Sequence, residues 1–425
     1  MPRQLAHEVL EGIFRHNERL EECFAGHPRL AGLDRRDRAL ARNMLGVTLR
    51  RLGQIDAIID HFLDRPLPRK ARGARQILRL GACQILFMRT PPHAAVDESV
   101  GLAAAIPALT AYKGLINAVL RRVVDKGPGL LAGQDPGRLN MAPWLWQRLE
   151  AAYGADVCKR ISAAHMEAPP PLDLTVKSDA GGWAGKLGGK LLMGDTVRLS
   201  QTGPIEELAG FGDGAWWVQD GAAALPARLL GEVWGKSVID MGAAPGGKTA
   251  QLASAGARVT AIDRSPNRLE RLRENLARLK LEANVICADG CDWRPDSPAD
   301  MVLLDAPCSS SGTVRRHPDM PWRKGAGEFG KLVELQKKLL DAAVQMLRPG
   351  GSVVFATCSL LPGEGPALIE QCLKSGALKR DPIRRAELGG RGEFLTTQGE
   401  LRTLPSHLPD EGGMDGFFAV RLIRS

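Results

Sequence analysis

Apolar residues recur at helical spacing through the first third of the chain. In the segment opened by Asp34, residues Ala41, Leu45, Leu49 and Leu52 fall three or four positions apart, the signature of one helix face, and the aspartate is suited to cap the first turn. Further runs of this period cover Ile55 to Leu63, Ala74 to Met88, Ala94 to Ala105 and Lys113 to Val124. Pro91-Pro92 closes the Ala74 run, because a proline disfavours helix in the residue before it. The pattern predicts an all-α bundle over residues 1–130. Gly127-Pro128-Gly129 and Gln134-Asp135-Pro136-Gly137 read as a linker. Over residues 140–215 the period changes. Trp144, Leu145, Leu149 and Tyr153 predict a helix, and a second reaches His165. Ala168-Pro169-Pro170-Pro171 then breaks the chain, and Leu172 to Val176 alternates as a strand does. Short strand-like pieces continue to Trp217, so this segment reads as a small α+β module.

From residue 216 to 425 apolar runs of strand length alternate with helical patterns, as a doubly wound, Rossmann-like α/β sheet requires. Val238-Ile239 ends in Asp240, Arg258 to Ile262 in Asp263, Val285-Ile286 at Asp289, and Met301 to Leu304 in Asp305, while Ser352 to Ala356 runs into Thr357-Cys358-Ser359. Ser265 and Pro266 open a helix with Leu269, Leu272, Leu276 and Leu279 on one face. Five strand ends thus present polar groups at one edge of the sheet, the edge where such folds bind ligands. Phe417 to Ile423 alternates as a last strand, expected in a hairpin.

Charge alters this picture unevenly. Of a net +9, residues 1–130 carry +8, from 21 Lys+Arg and 13 Asp+Glu, so a polyanion such as RNA is the expected partner of the helical segment. Eight cysteines in 425 residues, without a CxxC pair or matching histidine spacing, argue for reduced thiols and against a zinc site or any other metal site. His7, His16, His27, His61 and His93 are scattered and form no cluster. With no apolar run of membrane length and Glu8 where a leader needs an apolar core, the expectation is a cytoplasmic protein that makes no membrane contact.

The richest stretch is Ser237 to Thr249, a strand, a glycine turn and a helix start. Its residues Gly242, Ala243, Ala244, Pro245, Gly246, Gly247 and Lys248, with Thr249, satisfy the phosphate-loop spacing, and Asp305 could then hold magnesium. An NTPase is therefore one reading. Against it, Pro245 lacks the N–H that a phosphate cradle needs, and Asp240 adds negative charge. Both features suit a cationic sulfonium with a ribose and an amino-acid tail, that is, S-adenosylmethionine. Asp263, 23 residues after Asp240 and at the next strand end, is placed to accept the ribose hydroxyls. Asp289 could take the exocyclic amine of adenine.

Two cysteines sit at the same sheet edge, in Asp305-Ala306-Pro307-Cys308 and Thr357-Cys358-Ser359. A lone buried cysteine is commonly structural. A pair at a ligand edge, with polar flanks, reads as reactive. One reaction uses all these parts: a thiolate adds to carbon 6 of cytosine, carbon 5 becomes an enamine-like nucleophile and takes the methyl group, and a base then removes the carbon-5 proton so that the thiolate leaves. A carboxyl near the ring nitrogen, Asp305, would stabilise the adduct.

DMGAAPGGKT, DAPCSSSGTVRRHPDMPW, ATCSLLP and GGMDGFF resemble the Sun (Fmu) family of RNA cytosine-C5 methyltransferases. PPHAAVDESVGLA followed by KGLINAVLRRVVD is similar to the RNA-binding helical domain named after the antitermination factor NusB. The resemblance implies a NusB-like domain at 1–130, a small RNA-binding α+β domain at 140–215 and a methyltransferase domain at 216–425, acting on cytosine C5 of ribosomal RNA; a monomer is expected. It implies that Cys358 is the nucleophile, that Cys308 assists release, and that S-adenosylmethionine is held by Gly242 to Lys248, Asp263, Asp289 and Asp305, with Gln219-Asp220 also matching. Arg315-Arg316-His317-Pro318 is similar to a loop beside the target base, which puts its basic groups against RNA phosphate. The chain departs from the pattern at Gly242, where relatives often carry cysteine, at Ala224 for a glutamine, at Thr175-Val176-Lys177 for Arg-Val-Asn, and at Pro362-Gly363-Glu364-Gly365 for a PEEN-like run. A non-catalytic RNA-binding or antitermination factor is the alternative.

Overall fold

The computed structural model describes every residue except Ala168, Gln201, Thr202, Ala326 and Glu328, so the break expected at Ala168 lies outside the described residues. The chain divides into two units, one of Met1–Pro169 with Val314–Gly325 and one of Pro170–Thr313 with Ala326–Ser425.

The first unit is helical: α1 (Pro2–His16), α2 (Leu20–Ala25), α3 (Arg35–Arg50), α4 (Leu52–Phe62), α5 (Arg72–Phe87), α6 (Pro92–Ala105), α7 (Lys113–Ala132), α8 (Pro136–Leu139), α9 (Pro143–Tyr153) and α10 (Ala155–Met166). Asp34 caps α3 as its sequence context predicts, accepting from the Asp37 N–H at 2.7 Å. The periodic residues form the core. Leu5, Val9 and Leu10 of α1 meet Met44, Leu45 and Leu49 of α3, while Ile55 and Ile59 of α4 meet Ile77, Ile116 and Leu120.

The expected linker is not where the glycines and prolines place it. Helix α7 runs straight through Gly127-Pro128-Gly129. Gly127 is buried, and a methyl group there would lie 3.1 Å from Leu86, so this glycine serves a close helix approach rather than a turn. Gln134 to Gly137 starts α8, whose N-cap is Asp135, accepting from the Arg138 N–H at 3.1 Å. The stretch 140–215 is shared between units, its helices α9 and α10 in the first and its strands in the second.

The second unit begins with β1 (Leu172–Val176), α11 (Ala180–Lys186), β2 (Lys190–Met193), β3 (Thr196–Leu199) and β4 (Trp216–Val218). These strands make an antiparallel sheet in the order β2-β3-β1-β4. There follow α12 (Gly221–Arg228), β5 (Ser237–Met241), α13 (Gly247–Ser254), β6 (Arg258–Asp263), α14 (Pro266–Leu279), β7 (Asn284–Cys287) and β8 (Ala299–Asp305). After β8 the segment Val314–Gly325, with its single turn α15 (Met320–Arg323), belongs to the first unit. There Trp322 donates to the Leu49 carbonyl at 3.0 Å, Arg50 donates to the Arg315 carbonyl at 2.9 Å, and the Leu20 N–H donates to Asp319 at 3.3 Å. The second unit closes with α16 (Phe329–Met346), β9 (Leu347–Thr357), α17 (Pro366–Leu373), β10 (Leu378–Asp381), β11 (Leu401–Arg402) and β12 (Phe418–Arg424).

The large sheet runs β10-β12-β9-β8-β5-β6-β7. Strands β5 to β9 pair in parallel, and β12 is antiparallel to β9 and β10. The last strand pairs antiparallel with β11, the strand before it in sequence, as expected of a hairpin, and is also inserted between β9 and β10, which explains why Phe418, Ala419 and Val420 are all buried rather than alternating. Strand order reverses between β5 and β8. That switch point opens a crevice at the strand ends, where Asp240 and Asp305 lie.

Candidate active site

The glycine loop leaves β5 at Met241. Gly242 has φ +76°, and a Cβ there would stand 2.4 Å from the Asp305 carbonyl oxygen. Any side chain at 242 requires this backbone to shift, so a cysteine there would not be a neutral change. Gly246, with φ +104°, is the N-cap of α13. Four of the loop's N–H groups point inward. Those of Gly242 and Ala243 both donate to the Ile262 carbonyl at 2.9 and 3.1 Å, that of Gly246 to the Ala243 carbonyl at 2.8 Å, and that of Ala244 to Asp263 at 3.3 Å. A phosphate cradle needs these groups facing the ligand. With them engaged and Pro245 without one, the phosphate-loop spacing is a coincidence of sequence.

Asp240 is fully buried behind the loop. One carboxylate oxygen accepts from the Thr249 hydroxyl at 2.6 Å and the other has no partner. Burial pushes its pKa up to about 6, against the lowering effects of Thr249 and Lys248. Asp263, also buried, accepts from the Ser265 N–H at 3.0 Å and lies 3.3 Å from Arg268. Asp289 is exposed and accepts from the Cys291 N–H at 2.9 Å. The glycine cradle, the orphaned oxygen of Asp240 and the acids at successive strand ends fit a cationic nucleoside better than a polyphosphate.

Across the switch point the two cysteines meet. Cys308 follows β8, Cys358 follows β9, and their sulfurs are 3.4 Å apart. Cys308 is buried and Cys358 half-buried. The hydrogen bond between the two thiols, with the Ser310 side chain and the Lys248 charge, lowers the pKa of Cys358 although burial and Asp305 oppose it. The same hydrogen bond, together with burial, raises that of Cys308. The two shifts run in opposite directions, which makes Cys358 the more acidic thiol of the pair. Lys248 donates to Asp305 at 2.7 Å. Burial would lower the lysine pKa, but Asp305 and Asp240 raise it, so it stays charged.

Residues 227–423 match the family described as 16S rRNA methyltransferase RsmB/F, and residues 1–125 match the NusB family. The chain is 35% identical to the ribosomal RNA small subunit methyltransferase B of Cronobacter sakazakii, over 99% of this chain and 98% of that protein. It is 34% identical to the protein of the same name from Salmonella arizonae, with the same coverage. The chain belongs to the RsmB/F family of rRNA methyltransferases. Among solved structures, that of PH0851 covers 99% of the chain with TM-score 0.78 at 20% identity. NSun6 from Pyrococcus horikoshii covers 66% with TM-score 0.56 at 19% identity. These two likenesses show the fold.

As a member of the RsmB/F family the chain is an S-adenosylmethionine-dependent rRNA methyltransferase, with a NusB-type helical domain before a Rossmann-like one. Within this family frame the structure brings Gly242 to Lys248, Asp263, Asp305, Cys308 and Cys358 to one sheet edge, while Asp289 stands further out at the end of β7. Lys248, grouped by sequence with the cofactor loop, reaches the cysteines' side of the crevice through Asp305. Gln219 is a brace, accepting from Thr175 and Trp217 at 2.9 Å each and donating to Gln251 at 2.8 Å. Asp220 caps α12 through the Ala222 N–H at 2.9 Å. Of the basic loop, Arg316 is exposed whereas Arg315 is buried in the first unit. Glu364 carries no motif of its own in the sequence and stands only within the divergent run Pro362-Gly363-Glu364-Gly365. Its place beside a catalytic-type cysteine loop was the available signal. No helix among the described residues is long and apolar enough to cross a membrane.

Proposed function

We propose that the chain methylates carbon 5 of a cytosine in small-subunit (16S) ribosomal RNA through a covalent adduct on Cys358. The observation that carries this reading is the pair of thiols 3.4 Å apart beside the Lys248–Asp305 ion pair. When bound, S-adenosylmethionine supplies an electrophilic methyl group; Gly242 to Gly247, Asp263 and Asp289 would hold it. The Cys358 thiolate adds to carbon 6 of the cytosine, forming a C–S bond and pushing electron density onto carbon 5. Asp305, held by Lys248, accepts from the exocyclic amine of the cytosine and from its ring nitrogen once that nitrogen has taken a proton, which stabilises the adduct. After methylation the carbon-5 proton leaves to a base, the C–S bond breaks, and the electron pair returns to Cys358. Cys308 assists that release. The target cytosine must be unpaired or extruded, since a thiol cannot reach carbon 6 within a stack. The protein is read as a cytoplasmic monomer.

The test is methyl transfer from labelled S-adenosylmethionine to ribosomal RNA from cells lacking this protein, followed by nucleoside analysis. Label is expected in 5-methylcytidine, absent with Cys358→Ala and stalled as a protein–RNA adduct with Cys308→Ala. RNA binding without label on naked RNA or on ribosomal subunits would leave a non-catalytic RNA-binding factor. ATP turnover stimulated by RNA would revive the NTPase.

A further inference from the structure

We propose that Glu364 is a positioning residue that holds the two cysteine loops in register through one buried carboxylate. The proposal rests on the reading of Cys308 and Cys358 as the reacting pair. Glu364 ends the short turn Pro362–Glu364 and has no exposed surface. One of its carboxylate oxygens accepts from the Ser309 N–H at 2.8 Å and from the Gln336 amide at 3.1 Å. The other accepts from the Ser359 hydroxyl at 2.6 Å.

The positions of these donors make the case. Ser309 follows Cys308 and Ser359 follows Cys358, so one side chain grips the residue next to each thiol. Gln336 of α16 also donates to the carbonyl of Pro307, just before Cys308, at 2.9 Å. The Glu364 carbonyl accepts from the Thr357 hydroxyl, just before Cys358, at 3.1 Å. Each cysteine is thus flanked on both sides by residues tied to Glu364, directly or through Gln336. The hydroxyls of Ser309, Ser311 and Ser359 close the cluster at 3.1 to 3.2 Å from one another. The carboxylate's donors are neutral groups. Burying a charge is unfavourable unless it is fully hydrogen-bonded, and here the bonds fix the two loops that must stay aligned.

The charge has a second effect. Glu364 is among the groups that raise the Cys308 pKa, after the Cys358 hydrogen bond and burial, and so helps keep the shared proton on Cys308. The other charges facing the pair are Lys248 and Asp305, and Arg402 donates to the Ser359 carbonyl at 2.6 Å.

The experiment compares Glu364→Ala and Glu364→Gln in the full chain. Measured are kcat and KM for methyl transfer, the thermal midpoint, and iodoacetamide alkylation of Cys358 against pH without substrate. Displacing reacting atoms by about 1 Å costs about 100-fold in rate. Glu364→Ala is expected to lower kcat by about that factor with KM for S-adenosylmethionine within about twofold. Glu364→Gln keeps the volume and the Ser309 bond but not the charge. It is expected to keep the parent's midpoint, move the alkylation profile to lower pH, and lower kcat about tenfold. A folded Glu364→Gln with unchanged alkylation profile and unchanged kcat would overturn the proposal, as would an Ala variant whose loss lay wholly in KM. Should Glu364→Ala fail to fold, the Gln variant decides. A parent protein without methyl transfer would sink the functional reading instead, leaving the alkylation profile to judge Glu364.

Discussion

Asp240 shows how much one residue's environment matters. Its pKa, 3.8 when exposed, is about 6 in the fold. A buried acid with a raised pKa adds no penalty below about pH 4, where it is neutral in both states, and its contribution to stability is lost as pH rises through about 6. The difference corresponds to about 3 kcal/mol. Asp240→Asn, which can still accept from Thr249, is therefore expected to gain stability relative to the parent between pH 4 and 6. Denaturant titrations of both proteins across that range check it, and parallel curves would mean that the carboxylate ionises in the fold as readily as in the unfolded chain. At this scale the sequence was informative wherever chemistry follows strand ends, as with Asp263, Asp305, Cys308 and Cys358. It was silent on which of these groups meet. The spacing of Lys248 assigns it to a loop, and only the sheet order, with β8 beside β5, shows its amino group on Asp305. The second cysteine's partner is equally a product of β9 lying next to β8.

Loop-to-loop approach governs the elements around the site. Gly312 donates to the Cys358 carbonyl at 2.9 Å and accepts from the Gly416 N–H at 2.8 Å, and a Cβ on it would fall 2.0 Å from the Gly416 carbonyl oxygen. Gly312→Ala is expected to push the two loops apart, costing about 1–3 kcal/mol by overpacking and lowering methyl transfer at least tenfold. Equilibrium unfolding and initial rates measure the two effects, and a variant with parental values for both would show that the loops yield easily. Glycine has two roles in this chain, and the letters alone do not separate them. Gly127, read as linker, is packing space inside α7, because Leu86 comes close to it. Gly242 does mark a turn, and its φ and its contact with Asp305 require it. The expected helices, caps and parallel strands were legible because their periodicity is local. The insertion of β12 between β9 and β10 was not, since antiparallel pairing with a distant strand leaves no mark within seven residues.

For the molecule as a whole, charge and chain order matter most. With +8 of its +9 charge in residues 1–130, the chain is expected to hold RNA mainly through phosphates. Affinity should then fall as salt rises, the logarithmic slope growing by about 0.7 for each single-strand phosphate contacted. Filter binding between 50 and 300 mM salt tests this, and a flat response would shift the weight to base contacts. The segment Val314–Gly325 bears on how the protein is made. A ribosome that has synthesised the first 169 residues has not yet supplied Trp322, which packs with the α1–α3 core and donates to Leu49, or Asp319, which receives the Leu20 N–H. A fragment ending at Pro169 is expected to melt lower than the same helices in the full chain, and adding a peptide of residues 314–325 should raise its midpoint. The helical unit thus comes to completion only after the Cys308 loop has been translated, so the whole stretch Pro170–Thr313 of the second unit leaves the ribosome before the first unit is finished.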